Sequence, residues 1–327
     1  MTLVAGILAA AVAVLPQTPS PWLLVICGVG GDAEHRAAFD GRAQALMTAA
    51  TSRYGVDESR VIYVAERPAE VQRAAARADA AGIRAAFERI ARTSAPGDMV
   101  LVVLLGHGSP QQPSGRFNIL GPDLGPADFE PHLQLLDGRS LGFVNTTSTS
   151  GGFLELAAPG RVVITATANL REREEPRFGE FFVEAFAAGA ADLDKDERIS
   201  LAEAFEYASR EVARFYEDSG RLQPEHAMLE DSGDSEASRA PLADAGDGEL
   251  ARQLALGGAV RNALADEAED PELRELLAER ATLQTSLDEL RARKDSLAED
   301  EYLAQLEELL VRIAETDAAI RARGDSR

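Results

Sequence analysis

Five short runs of branched apolar residues punctuate the first half of the chain: "WLLVIC" at Trp22–Cys27, "RVIYV" at Arg60–Val64, "DMVLVVLL" at Asp98–Leu105, "SLGFV" at Ser140–Val144 and "RVVIT" at Arg161–Thr165. Their apolar character is continuous rather than alternating, which predicts strands buried on both faces. Between them, apolar positions recur at helical spacing over Ala33–Arg53, Ala78–Arg92, Pro126–Leu136 and Phe178–Ala188. Strand and helix in alternation predict an α/β domain with a mostly parallel sheet covered by helices on both faces.

The pattern changes near the two ends. Leu3–Leu15 is an apolar run followed by a Pro/Ser/Thr-rich break before Trp22. It is too short to span a bilayer comfortably and fits the hydrophobic region of an export signal over residues 1–20, although the usual leading Lys or Arg is missing. That segment predicts a periplasmic or extracellular protein; a plain apolar N-terminal strand or helix in a cytoplasmic protein is the alternative. Residues 231–249 are small, acidic and Pro/Gly-rich, which predicts a flexible linker after a domain at 21–230. Beyond it, Leu276, Leu283, Leu290 and Leu297 recur every seven residues, as do Leu306, Ile313 and Ile320. Ser296 and Glu299 form a capping-box pattern between the two sets, so residues 250–323 are expected to form a helical hairpin or coiled coil, a seam able to pair two chains as a homodimer. Packing of the same stripes on the main domain is the plainer alternative.

Charge narrows the partners. With 33 basic and 55 acidic residues the formal net charge is −22, which disfavours nucleic acid and anionic lipid as ligands. Cys27 is the lone cysteine, so thiol-based zinc or iron-sulfur sites and internal disulfides are excluded.

Parallel sheets place their ligand sites beyond the carboxyl ends of the strands. The first strand ends in "CGVGGD", Cys27–Asp32, which matches neither a dinucleotide fingerprint nor a P-loop and reads as a tight turn. A later strand ends in "LLGHGS", Leu104–Ser109, with His107 between Gly106 and Gly108. The next ends in "VNTTSTSGGF", Val144–Phe153.

A buried strand ending in His-Gly followed by a second ending in Cys-x-Ser-Gly is the pattern of the caspase-like and legumain-like cysteine peptidases. "VVLLGHGS" resembles their histidine block. "TTSTSGGF" resembles their nucleophile block, with Ser150-Gly151 in register and Ser148 where those enzymes carry cysteine. "RVVITATANLREREEPRFGEFFVEAF" is similar to the legumain-type segment that follows, and the likeness spans Trp22–Leu229. The resemblance implies a caspase-like fold, a catalytic position at His107 and Ser148, and Gly108, Ser150 and Gly151 around an oxyanion-binding turn.

The departure at Ser148 decides the expected activity. A thiol is partly ionised at neutral pH, whereas a serine hydroxyl needs an oriented base, and the resemblance supplies mainly a Cys/His pair without the buried carboxylate of a serine triad. The expectation is therefore a pseudo-peptidase that binds a peptide or protein partner without cleaving it. A Ser148/His107 serine-type hydrolase is one alternative, and a coiled-coil scaffold on an α/β platform is another.

One loop predicts a cofactor. "DLDKDERISLAE", Asp192–Glu203, has EF-hand spacing: Asp192, Asp194 and Asp196 at positions one, three and five, the Arg198 carbonyl at seven, Ser200 at nine and Glu203 at twelve. Glu197 stands where the sharp turn takes glycine, which predicts weak Ca2+ binding. A solvated helix entry capped by Asp192 or Asp194 is the competing expectation.

Overall fold

The computed structural model describes residues 21–193, 198–234, 236–241, 246–256 and 298–324, with scattered positions between 272 and 290. The export-signal expectation for residues 1–20 lies outside the described residues.

The continuous apolar runs become strands β1 (Trp22–Cys27), β2 (Val61–Ala65), β4 (Met99–Leu105), β7 (Ser140–Asn145) and β8 (Arg161–Thr165). Two further strands join them, β3 (Ala74–Arg77) and β10 (Met228–Glu230). The seven form one sheet in the order β10-β8-β7-β4-β1-β2-β3. All neighbours are parallel except β10, which runs antiparallel to β8. Two short pairs stand apart from it: β5 (Gly108–Ser109) with β6 (Arg116–Phe117), and β9 (Ile199–Ser200) with β11 (Ala255–Leu256).

The helices cover both faces. Alternate residues of β1 divide between two cores, Leu23, Val25 and Cys27 on one side and Trp22, Leu24 and Ile26 on the other. On the first side they meet α1 (Ala33–Ser52), α4 (Phe178–Ala188) and α5 (Leu201–Asp218) through Phe39, Phe182 and Phe205. On the second they meet α2 (Ala80–Thr93) and α3 (Pro126–Gln134) through Phe87 and Phe129. Gly142 in β7 lets α5 approach closely, since a Cβ there would overlap the Leu201 side chain. The Cys27 thiol is buried and donates to the Phe39 carbonyl at 3.5 Å. It is a core residue, as expected of an apolar-packed cysteine.

The segment 231–249, expected to be flexible, is held by buried carboxylates wherever it is described. Asp231 accepts from the Gly248 and Ala251 amides at 2.8 Å each, which anchors α6 (Glu249–Gln253). Asp247 accepts in turn from the Asp231 amide at 3.1 Å. With β11 pairing against β9, the folded domain runs on to Leu256. Acidic composition misled here because these carboxylates replace missing backbone partners at helix and turn ends instead of facing water.

Toward the carboxyl end, α7 covers Glu299–Gly324. Leu283 and Leu287 are buried with Ile313, Leu306 and Leu309 pack beside them, and Arg312 pairs with Glu279 at 3.1 Å. Part of the expected stripe thus finds its partner within the same region. Ser296 and Leu297 lie outside the described residues. Among the described residues no helix is long and apolar enough to cross a membrane.

Candidate active-site cleft

Sheet order fixes where the cleft falls. The chain builds outward from β1 through β2 to β3, then returns to the other side of β1 to lay down β4, β7 and β8. The reversal lies between β1 and β4, the position where open α/β sheets leave a crevice at their carboxyl edge. Cys27 is level with Leu105, and Leu104 with Asn145. The loops after β1, β4 and β7 therefore emerge side by side.

His107 reaches across this reversal. Its Nε2 lies 3.1 Å from the Gly30 carbonyl. A carbonyl oxygen only accepts, so Nε2 carries the proton and, in the neutral ring, Nδ1 keeps the lone pair. The imidazole also packs edge-on against Phe39 and His35, with ring centroids 5.1 and 5.0 Å away. The "CGVGGD" stretch is thus more than a turn: Gly30 orients the histidine. Sequence reasoning missed this because a backbone carbonyl leaves no residue-type signature.

The Ser148 segment is built on Asn145, the last residue of β7. Its Oδ1 accepts from the Thr147 amide at 3.1 Å and the Thr147 hydroxyl at 2.8 Å. Thr146 ties back to β4 through the Leu104 carbonyl at 2.7 Å. Thr149 follows at φ 55, a left-handed conformation that a β-branched residue rarely adopts, and its amide donates to the Glu172 carbonyl at 2.9 Å. Strain of this kind costs on the order of 1–3 kcal/mol and gathers at functional sites.

The two loops touch through their backbones. The Ser148 hydroxyl donates to the Gly108 carbonyl at 3.2 Å, and a Cβ at Gly108 would fall within the radius of the Ser148 carbonyl oxygen. His107 and Ser148 are therefore brought to one edge of the sheet, but among the described residues no hydrogen bond joins their side chains, and none runs from a carboxylate to His107. The expected oxyanion turn divides. The Gly151 amide is committed to the Thr167 hydroxyl at 3.2 Å, and the Ser150 hydroxyl faces the same Thr167 oxygen at 3.1 Å. Both residues serve as struts. Gly108 faces Phe117 across the β5–β6 ladder beside the Asn118-to-His107 bond, so the antiparallel alternation turns its amide off the ladder.

Buried polar atoms without partners collect here. Ser109 Oγ, Asn118 Oδ1, Asn145 Nδ2 and Thr149 Oγ1 are four of the seven found among the described residues. Buried polar groups are normally satisfied, so this concentration marks a place where the fold tolerates unmet hydrogen bonding.

The calcium-spaced loop sits away from this edge. Asp194 and Asp196 lie outside the described residues. Ser200 is the N-cap of α5, so neither Asp192 nor Asp194 fills that role. Glu203 accepts from the Ser200 amide at 2.9 Å and its hydroxyl at 2.7 Å, and also from the Leu193 amide at 2.9 Å. Among the described residues, no three His, Cys, Asp or Glu side chains are gathered to hold a metal ion. Comparison with known proteins found no family model and no curated protein that matches the chain.

The backbone contact between the two loops is directly testable. Gly108→Ala should cost about 1–3 kcal/mol, the usual penalty of overpacking. Gly41→Ala has open space around the new methyl within α1 and should instead stabilise by about 1 kcal/mol. Urea denaturation of both variants checks the contrast. Equal effects would mean that the loops are not in contact.

Proposed function

We propose that this protein is a non-cleaving member of the caspase-like and legumain-like plan, binding an extended peptide or protein segment in the cleft at the carboxyl ends of β1, β4 and β7. The observation that carries the reading is the Ser148 hydroxyl: it donates to the Gly108 carbonyl, and among the described residues no base takes its proton. An unactivated hydroxyl is a poor nucleophile, whereas a thiol in the same place would be partly ionised without further help. The buried, unpartnered Ser109, Asn118, Asn145 and Thr149 atoms beneath this edge mark where the fold accepts unmet hydrogen bonding, as functional sites do. A net charge of −22 favours neutral or basic segments over acidic ones. Export, and pairing of two chains through a coiled coil beyond residue 250, belong to the same proposal.

The Gly30 bond favours a second reading, a Ser148/His107 serine-type hydrolase, because it holds His107 in the tautomer a general base requires. A fluorophosphonate probe and a peptide panel separate the two. The wild type should show neither labelling nor turnover, while Ser148→Cys should acquire His107-dependent turnover. Labelling of Ser148 in the wild type, abolished by His107→Ala, would establish the hydrolase instead.

Calcium at Asp192–Glu203 is proposed as a weak site. Its support is the Leu193 amide, which draws Glu203 at position twelve back to position two, the residue after Asp192. Because Glu203 also caps α5, Glu203→Gln should lower calcium-free stability by about 1 kcal/mol as well as remove the calcium response. Calcium at about ten times its Kd should add about 1.4 kcal/mol, read as a shift of a few degrees in melting temperature. A shift no larger than that given by magnesium would reduce the loop to a helix entry.

A further inference from the structure

His35 occupies the junction of three loops. Its Nδ1 lies 2.7 Å from Asp32 Oδ2 at the mouth of β1, its Nε2 lies 3.1 Å from Glu175 Oε2 in the loop after β8, and its ring packs on His107 after β4. Ionised carboxylates only accept hydrogen bonds, so a ring that faces one on each nitrogen needs both N–H groups and is an imidazolium. Neither carboxylate offers the neutral ring an equivalent contact at its bare nitrogen.

We propose that His35 is the positioning residue of the cleft: as an imidazolium it ties the loop after β1, His107 and the loop after β8 into one closed arrangement, and it releases Glu175 when it deprotonates. The proposal deepens the peptide-binding reading by supplying its regulation, and rests on that reading for its biological use. Its test needs neither a bound partner nor turnover.

The charged surroundings agree in sign. Asp32 and Glu34 face His35 from the start of α1 and Glu175 from the loop after β8, while His107 is the titratable group on the loop after β4. Arg42 stands behind Glu175 at 3.8 Å and also approaches Glu180 at 3.7 Å, so Glu175 keeps one cationic neighbour after His35 is neutralised. The hydrogen bond to Asp32, followed by the charges of Glu175, Asp32 and Glu34, raises the His35 pKa above its ordinary value despite some desolvation. A group whose folded pKa is raised stabilises the closed form fully below its unfolded value of about 6.5, and loses that contribution as pH rises through the folded midpoint.

Two measurements test this. Histidine Cε1–H titration by NMR, assigned with His35→Gln and His107→Gln, should show His35 titrating above the ordinary imidazole value. Trypsin cleavage after exposed Arg173, in the loop after β8, should rise several-fold in the wild type relative to His35→Arg between about pH 6 and about pH 8.5, spanning imidazole deprotonation. His35→Arg keeps a permanent cation and cancels the pH dependence of the protease itself. His35→Gln should be cleaved rapidly throughout. A His35 midpoint at or below the ordinary value, or a wild-type to His35→Arg ratio that stays flat, would overturn the proposal. Both outcomes leave peptide binding by the cleft to be judged separately by the probe and peptide panel.

Discussion

The reversal of strand order between β1 and β4 is the constraint on which the rest depends. It brings two loops from distant parts of the chain to one edge at backbone separation. Gly28 and Gly106 make that approach possible: a Cβ at Gly28 would overlap the Asn118 carbonyl, and Gly106 takes φ 150 with its Cα side against Gly28. The Gly28 amide then bonds Leu105 at 2.9 Å, and two residues on, the Gly30 carbonyl meets His107. Were the strands ordered sequentially, the Gly30 and His107 loops would not be neighbours.

From that geometry the chemistry turns on one atom. At this edge stand an oriented imidazole, a strained turn and a Gly108 amide turned off its ladder, the groups the proposed reading assigns to a site whose nucleophile would be residue 148. With oxygen there, the side chain hydrogen-bonds to the facing loop and completes a backbone junction. With sulfur there, the weaker hydrogen bond and the lower pKa would favour an ionised nucleophile. On the proposed reading, whether residue 148 ionises decides between cleavage and binding at this edge.

The strands buried on both faces were legible in the sequence, because Trp22–Cys27 and Asp98–Leu105 are continuously apolar in a way that only a covered parallel sheet explains. Strands β3 and β10 were not: "AAAR" carries no β-branched signal, and "MLE" ends on Glu230, a buried acid bonded to the Gly233 amide at 2.6 Å. His107 was visible as a histidine between glycines at a strand end. Its partners were invisible, because one is a carbonyl and the other, His35, lies on a helix whose relation to β4 depends on the tertiary fold. The stretch at 231–249 was not legible as folded. Asp231 and Asp247 accept from backbone amides at a turn and at the start of α6, and composition alone does not distinguish such a carboxylate from a solvated one.

The most direct test of the account is the acidity of a thiol placed at position 148. In Ser148→Cys the alkylation background is low, because Cys27 is buried and its thiol is pushed far up by burial. The rate of iodoacetamide alkylation against pH then reports the introduced thiol alone. The account predicts a thiol pKa well below the free value of about 8.5, returning toward it when His107 is also changed to Ala. An ordinary thiol pKa that is indifferent to His107 would contradict the claim that the β4 and β7 loops form one catalytic-type cleft lacking only its nucleophile.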